Sequence, residues 1–148
     1  MVAYLSTELG GAANQTAAAT GYRPTATVYQ ARLKRMRATV TLATQTVSDT
    51  LVLGILPAGA TFAYGVINAT ATLGASATLA IGISGTTGKY RAAATFTTAD
   101  TPTFFGTAAT AGSSTPLTAE ETVIGTIAGA SLPSSGTLVV DLYYSMPN

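Results

Sequence analysis

An all-β, two-sheet sandwich is the fold class this sequence predicts, with a jelly roll as the first choice. Three observations predict it. Roughly seven or eight short segments alternate apolar and polar residues. Turns rich in Gly, Pro and Ser separate them, and no stretch carries a convincing amphipathic helical period. Two sheets can each bury an apolar face by covering the other, which favours a jelly roll over a single open sheet.

The elements follow in order. Residues 1–30, which include "STELGGAANQTAAATGYRPTATVYQ", have no sustained apolar period and favour turns and extended chain. They read as an extended arm that orders on contact with another chain, with a disordered tail as the alternative. Residues 31–148 then form the sandwich domain. From Arg35 the chain alternates, with Met36, Ala38, Val40 and Leu42 on one side and Arg35, Arg37, Thr39 and Thr41 on the other. Period two with β-branched residues is a half-buried strand.

"DTLVLGILP" is a short strand closed by the turn "LPAGA". "TFAYGVINATA" predicts a strand with Phe62, Tyr64, Val66 and Asn68 on one face. "SATLAIGIS" predicts another, with Ala77, Leu79, Ile81 and Ile83 together, and "GTTGK" reads as the turn after it. "KYRAAATFTTADTPTFFG" reads as an irregular connection, with a helical turn at "RAAAT" as an option and a short strand near Phe104–Phe105. A strand is expected around Thr122–Ile127. The last, "TLVVDLYYS", puts Leu138, Val140, Leu142 and Tyr144 on one face and Val139, Asp141 and Tyr143 on the other.

Composition narrows the function. The 148 residues hold seven basic and six acidic side chains, only 9% charged, against about 25% in an ordinary soluble domain. Mean hydropathy is positive, at +0.38. A monomer needs charged surface to stay apart from its neighbours, so part of this surface is expected to be buried against other chains. With no Cys and no His, disulfides, thiolate nucleophiles, the usual general base and the commonest zinc ligand are all missing. No metal or other cofactor, and no enzymatic activity, is expected.

No window has the ~20 near-continuous apolar residues of a spanning helix, and "MVAYLSTELGG" has no basic or apolar signal region. No membrane association and no export through a signal peptide are expected.

Other candidate motifs are weak. Glu120 and Glu121 are the only adjacent carboxylates, and strand alternation would send them to opposite faces, as solvated or salt-bridging groups. "SGTTGK" lacks the Ser or Thr after Lys89 that a phosphate loop needs, and reads as a hairpin turn. Asn14-Gln15-Thr16 and Asn68-Ala69-Thr70 match a glycosylation acceptor pattern that means little without secretion.

The one concentrated feature is basic. Arg32, Lys34, Arg35 and Arg37 lie in "YQARLKRMRATVTLATQ", with Arg23, Tyr22 and Tyr29 close before them. Nucleic acid is disfavoured, because the chain as a whole is not basic and only the two tyrosines offer stacking. A solvated strand face is the plain alternative. A protein interface is preferred, since Arg forks pair bidentately with carboxylates and a charge-poor chain has gathered its cations in one place.

Three stretches, "RATVTLATQTVSDTLVLGILPAGATFAYGVI", "KYRAAATFTTADTPTFFG" and "LTAEETVIGTIAGASLPSSGTLVVDLYYS", resemble the head decoration (cement) proteins of tailed bacteriophages. The resemblance spans about Arg37 to Ser145 and is one of texture, not of a catalytic motif. It implies an all-β protein made in the host cytoplasm and placed on the outside of an icosahedral capsid. It also implies a homotrimer that bridges major capsid subunits. The expectation from a different class is a carbohydrate-binding or fibre accessory module that holds sugar through Tyr143, Tyr90 or Tyr64.

Overall fold

The computed structural model describes residues 32–47, 49–113 and 115–146. The expected arm, with Tyr22, Arg23 and Tyr29, lies outside the described residues. The elements are β1 (Leu33–Thr41), β2 (Thr50–Leu56), β3 (Thr61–Ala69), β4 (Gly74–Ile83), β5 (Thr86–Phe96), β6 (Thr103–Phe105), the single helical turn α1 (Ala108–Ala111), β7 (Glu121–Ala128) and β8 (Thr137–Ser145).

Pairing is nested and antiparallel: β1 with β8, β2 with β7, β3 with β6 and β4 with β5. Successive pairs fall alternately into two four-stranded sheets, ordered β1-β8-β3-β6 and β2-β7-β4-β5. That is the jelly-roll order, a long hairpin rolled up so that its two halves cover each other. The first sheet contributes Phe62, Ile67, Leu138, Val140 and Leu142 to the core, and the second Leu51, Leu53, Leu79, Ile81, Tyr90, Val123 and Ile127. Each such side chain contributes about 1.5–3 kcal/mol of burial.

Alternation predicts β1, β4 and β8 well. Met36, Ala38 and Val40 pack against the core, Leu42 is buried just beyond β1, and Leu138, Val140 and Leu142 are all buried. Three expectations need correction.

In β3 the partner of Phe62 is Tyr144 and that of Tyr64 is Tyr143, so an extra residue, Ala63, sits between them as a bulge. The bulge turns the strand over. Phe62 faces the core, but beyond it Gly65, Ile67 and Ala69 take the inner face, and Tyr64, Val66 and Asn68 point outward.

"RAAAT" is neither helical nor a connection, because it lies within β5. The turn before it is Ser84-Gly85, where Gly85 takes φ +82°, and "TTGK" already belongs to β5. The cause of both is the pairing with β4, which overrides the helix preference of the alanines. That pairing is irregular. From Ile83–Thr86 to Ile81–Arg91, β5 advances further than β4, and its surplus folds over Gly82.

Buried Arg91 holds the irregular segment by donating to the carbonyls of Leu79, Ala94 (3.1 Å) and Thr95 (3.2 Å). Burial lowers its pKa from the ordinary arginine value.

Candidate interaction face

The outer face of the β1-β8-β3-β6 sheet brings together cationic, aromatic and carboxylate side chains. Cross-strand register sets three rows. The first is Arg35, Tyr143 and Tyr64. The second is Arg37, Asp141, Val66 and Phe104. The third is Thr39, Val139 and Asn68. The bulge at Ala63 makes these rows, because without it Tyr64 and Val66 would point into the core.

Arg37 is already engaged. Its Nε–H donates to Asp141 Oδ1 and its Nη2–H to Oδ2, both at 2.7 Å, a bidentate pair across β1 and β8. The Asp141 side chain is 9% exposed and that of Arg37 50%. The hydrogen bonds from Arg37 hold the Asp141 carboxyl below the ordinary carboxylate range, against the upward push of burial. The same bonds raise the Arg37 pKa.

Because the folded-state value is depressed, the pair stabilises the fold above the unfolded Asp value of ~3.9 and that contribution fades as pH falls through the folded value. Asp141→Asn is therefore expected to be less stable than the parent at pH 7. The difference should shrink as pH drops from about 5 to about 2. Thermal melts of both proteins across that range check this.

The aromatic part of the face is continuous. Tyr64 stacks on Tyr143 with ring centroids 4.7 Å apart and planes 22° apart. On its other side Tyr64 meets Phe104 at 5.7 Å, tilted by 53°. Phe104 is 72% exposed, although an apolar ring of its size ordinarily seeks cover. Beside these rings a shallow hollow of about 230 Å³ is lined by Arg37, Val66, Asn68, Pro102, Val139 and Asp141. Asn68 Oδ1 is buried there without a hydrogen-bond partner among the described residues.

The predicted cationic residues divide. Arg32, just before β1, and Lys34 and Arg35 within it are exposed, and none has an ion-pair partner among the described residues, but Arg35 alone of the three shares the outward phase of Arg37 within the strand. Arg37 shares their strand but is neutralised by Asp141. Sequence reasoning missed Tyr64, Val66 and Phe104 as members of the same face. The one available signal was the exposed-type position of Tyr143 beside Asp141 on β8.

A second cluster lies elsewhere. Lys89 Nζ pairs with Glu121, and the Tyr90 hydroxyl donates to Glu121 Oε2 at 2.5 Å. Burial, helped by that carboxylate, raises the Tyr90 hydroxyl pKa far above the ordinary tyrosine value, so the proton stays on oxygen. Phe62 and Leu117 complete a hollow of about 250 Å³ around them. Each oxygen of the Glu121 carboxylate takes one donor from β5, so this cluster ties β5 to β7. Glu120 is exposed in the preceding loop.

Tyr90 is fully buried, which removes it from the three tyrosines expected to hold sugar. Among the described residues no group of three or more His, Cys, Asp or Glu is placed to hold a metal ion. No helix among them is long and apolar enough to cross a membrane.

With this geometry in hand, solved structures offer a comparison. A chain of the cyanophage Pam1 capsid asymmetric unit matches with a TM-score of 0.65 and 23% identity, over 93% of this chain and 97% of that one. The fold is one found in phage capsids. A chain from the capsid of Ralstonia phage GP4 matches at TM-score 0.62 and 23% identity, covering 86% and 94% of the two chains. One from the acid-stable capsid of Helicobacter pylori bacteriophage KHP30 matches at 0.58 and 14% identity, covering 78% and 89%. No protein-family model matches the chain, and no curated protein matches it.

Proposed function

We propose that this chain is a non-enzymatic structural component of a phage virion, a decoration protein that binds the outside of an icosahedral head and bridges major capsid subunits. The observation that carries the reading is the shared jelly roll, matched over nearly the full length of chains from the Pam1 and GP4 capsid structures. The surface supports it. Phe104, Val52, Ile55, Val47 and Leu33 are large apolar residues left more than half exposed, on a chain with few charges to keep it apart from others.

A homotrimer would close such contacts by rotation and leave no open-ended chain of them. Residues 1–30, as an arm, would add reach toward a neighbouring protomer or the shell. Binding would stabilise the shell by mass action, because only the assembled lattice presents the whole site.

The test is sedimentation of the purified chain with cognate empty shells, with the shells' melting temperature read in parallel. Saturable binding that raises the melting temperature is expected. A chain that ignores shells yet is retained on a glycan column would overturn the reading in favour of a sugar-binding module.

A further inference from the structure

We infer that the outer face of the β1-β8-β3-β6 sheet is the surface that docks on the shell, and that its occupant is an acidic, apolar-bearing segment of the shell protein. This rests on the function proposed above. The face has two parts that call for different chemistry. Tyr143, Tyr64 and Phe104 form a ladder across three strands, with Phe104 projecting 72% exposed at its end. A rigid row of rings gives contact area at little conformational cost. At the β1 edge of the same face stands the exposed cation Arg35, directly across from Tyr143, while alternation sends Lys34 to the other side of the strand, in phase with Met36.

Charge decides the partner. Asp141 is the carboxylate at the centre of the face, and both its oxygens are taken by Arg37. The face therefore offers no free acid to hydrogen-bond a sugar or a basic peptide. What stays unneutralised is positive, so the partner supplies carboxylates.

A second copy of this chain fits poorly. Its other described acids, Asp49, Asp100 and Glu120, sit singly in separate loops, and Glu121 is held by Lys89 and Tyr90. Each is a single carboxylate, and none stands on the β1-β8-β3-β6 sheet to answer Arg35 and the ring ladder together. The exposed apolar pair Val52 and Ile55 lies on the other sheet, and Ile55 pairs beside the acidic stretch Glu120–Glu121, so it does not compete for an acidic partner.

The test pairs Arg35→Glu with Phe104→Glu. Both side chains are exposed and neither forms part of the core, so folding is preserved and circular dichroism confirms it. A control, Thr122→Glu, reverses nothing and sits exposed on the other sheet. The double variant is expected to bind cognate shells at least about tenfold more weakly than the parent, with the control unchanged. Parental binding should also weaken as salt rises.

Shell binding that survives both substitutions overturns this inference and leaves the proposed function standing. Failure of the parent chain to bind shells overturns the proposed function, and the inference with it. Retention on a neutral glycan that Phe104→Glu abolishes, with shell binding intact, gives the face to sugar and overturns the inference alone.

Discussion

Gly82→Ala is expected to destabilise the fold by about 3 kcal/mol and lower the melting temperature by roughly 10 °C. Gly82 lies in β4, where the surplus of β5 folds back over it. A Cβ at this position would stand 2.5 Å from the Thr87 carbonyl oxygen and closer still to that of Thr86. Both neighbours are backbone, so neither can swing aside as a flexible side chain would. The strand must shift, and with it the carbonyls that Arg91 gathers from Leu79, Ala94 and Thr95.

Gly85→Asn makes the informative contrast. Gly85 has φ +82° but nothing within 4 Å of an added Cβ, and Asn tolerates the left-handed region. It is expected to cost less than about 1 kcal/mol. Thermal melts of the two variants check both numbers. Equal stability would mean that β5 does not crowd β4 at Gly82.

Gly65→Val carries the second large effect, expected at about 2–3 kcal/mol. Gly65 pairs with Phe105 of β6, and the Phe105 ring lies over it, with a ring carbon 2.6 Å from where a Cβ would sit and others nearer. An aromatic ring covering a strand glycine is a packing device that a branched side chain destroys. Valine would push Phe105 off the core that it packs against. Because β6 has only three residues and pairs with β3 alone, its position depends on that ring. Displacing Phe105 therefore moves Phe104 on the opposite face, and the variant should lose shell binding as well as stability. Retained binding at a temperature where the variant is folded would contradict the coupling.

The parts of this molecule legible in its sequence are those with one clear phase. In β1, apolar Met36, Ala38 and Val40 alternate with Arg35, Arg37 and Thr39, and in β8 Leu138, Val140 and Leu142 alternate with Val139, Asp141 and Tyr143. A charged side chain in the middle of one phase, Arg37 in β1 and Asp141 in β8, leaves one way to bury each strand. β3 has no such clarity: Phe62, Tyr64 and Val66 compete with Gly65 and Ile67, and both phases are apolar. The bulge at Ala63 uses both in turn, which alternation alone cannot reveal.

"RAAAT" misleads for a related reason. Its alanines favour helix locally, and a buried arginine bonded to three carbonyls holds them extended instead. The outer face of the β1-β8-β3-β6 sheet is half legible. Alternation places Arg35 and Arg37 outward, where both are exposed, but that Asp141 neutralises Arg37 depends on the register of β1 against β8, strands from opposite ends of the domain. The membership of Tyr64 and Phe104 depends on the bulge and on β6.

Co-sedimentation with cognate empty shells decides whether this jelly roll, as we propose, grips a phage shell. The predicted result is saturable binding, with the bound shells melting at a higher temperature than bare ones. A chain that stays in the supernatant at every concentration, and leaves the shells' melting temperature unchanged, would contradict it.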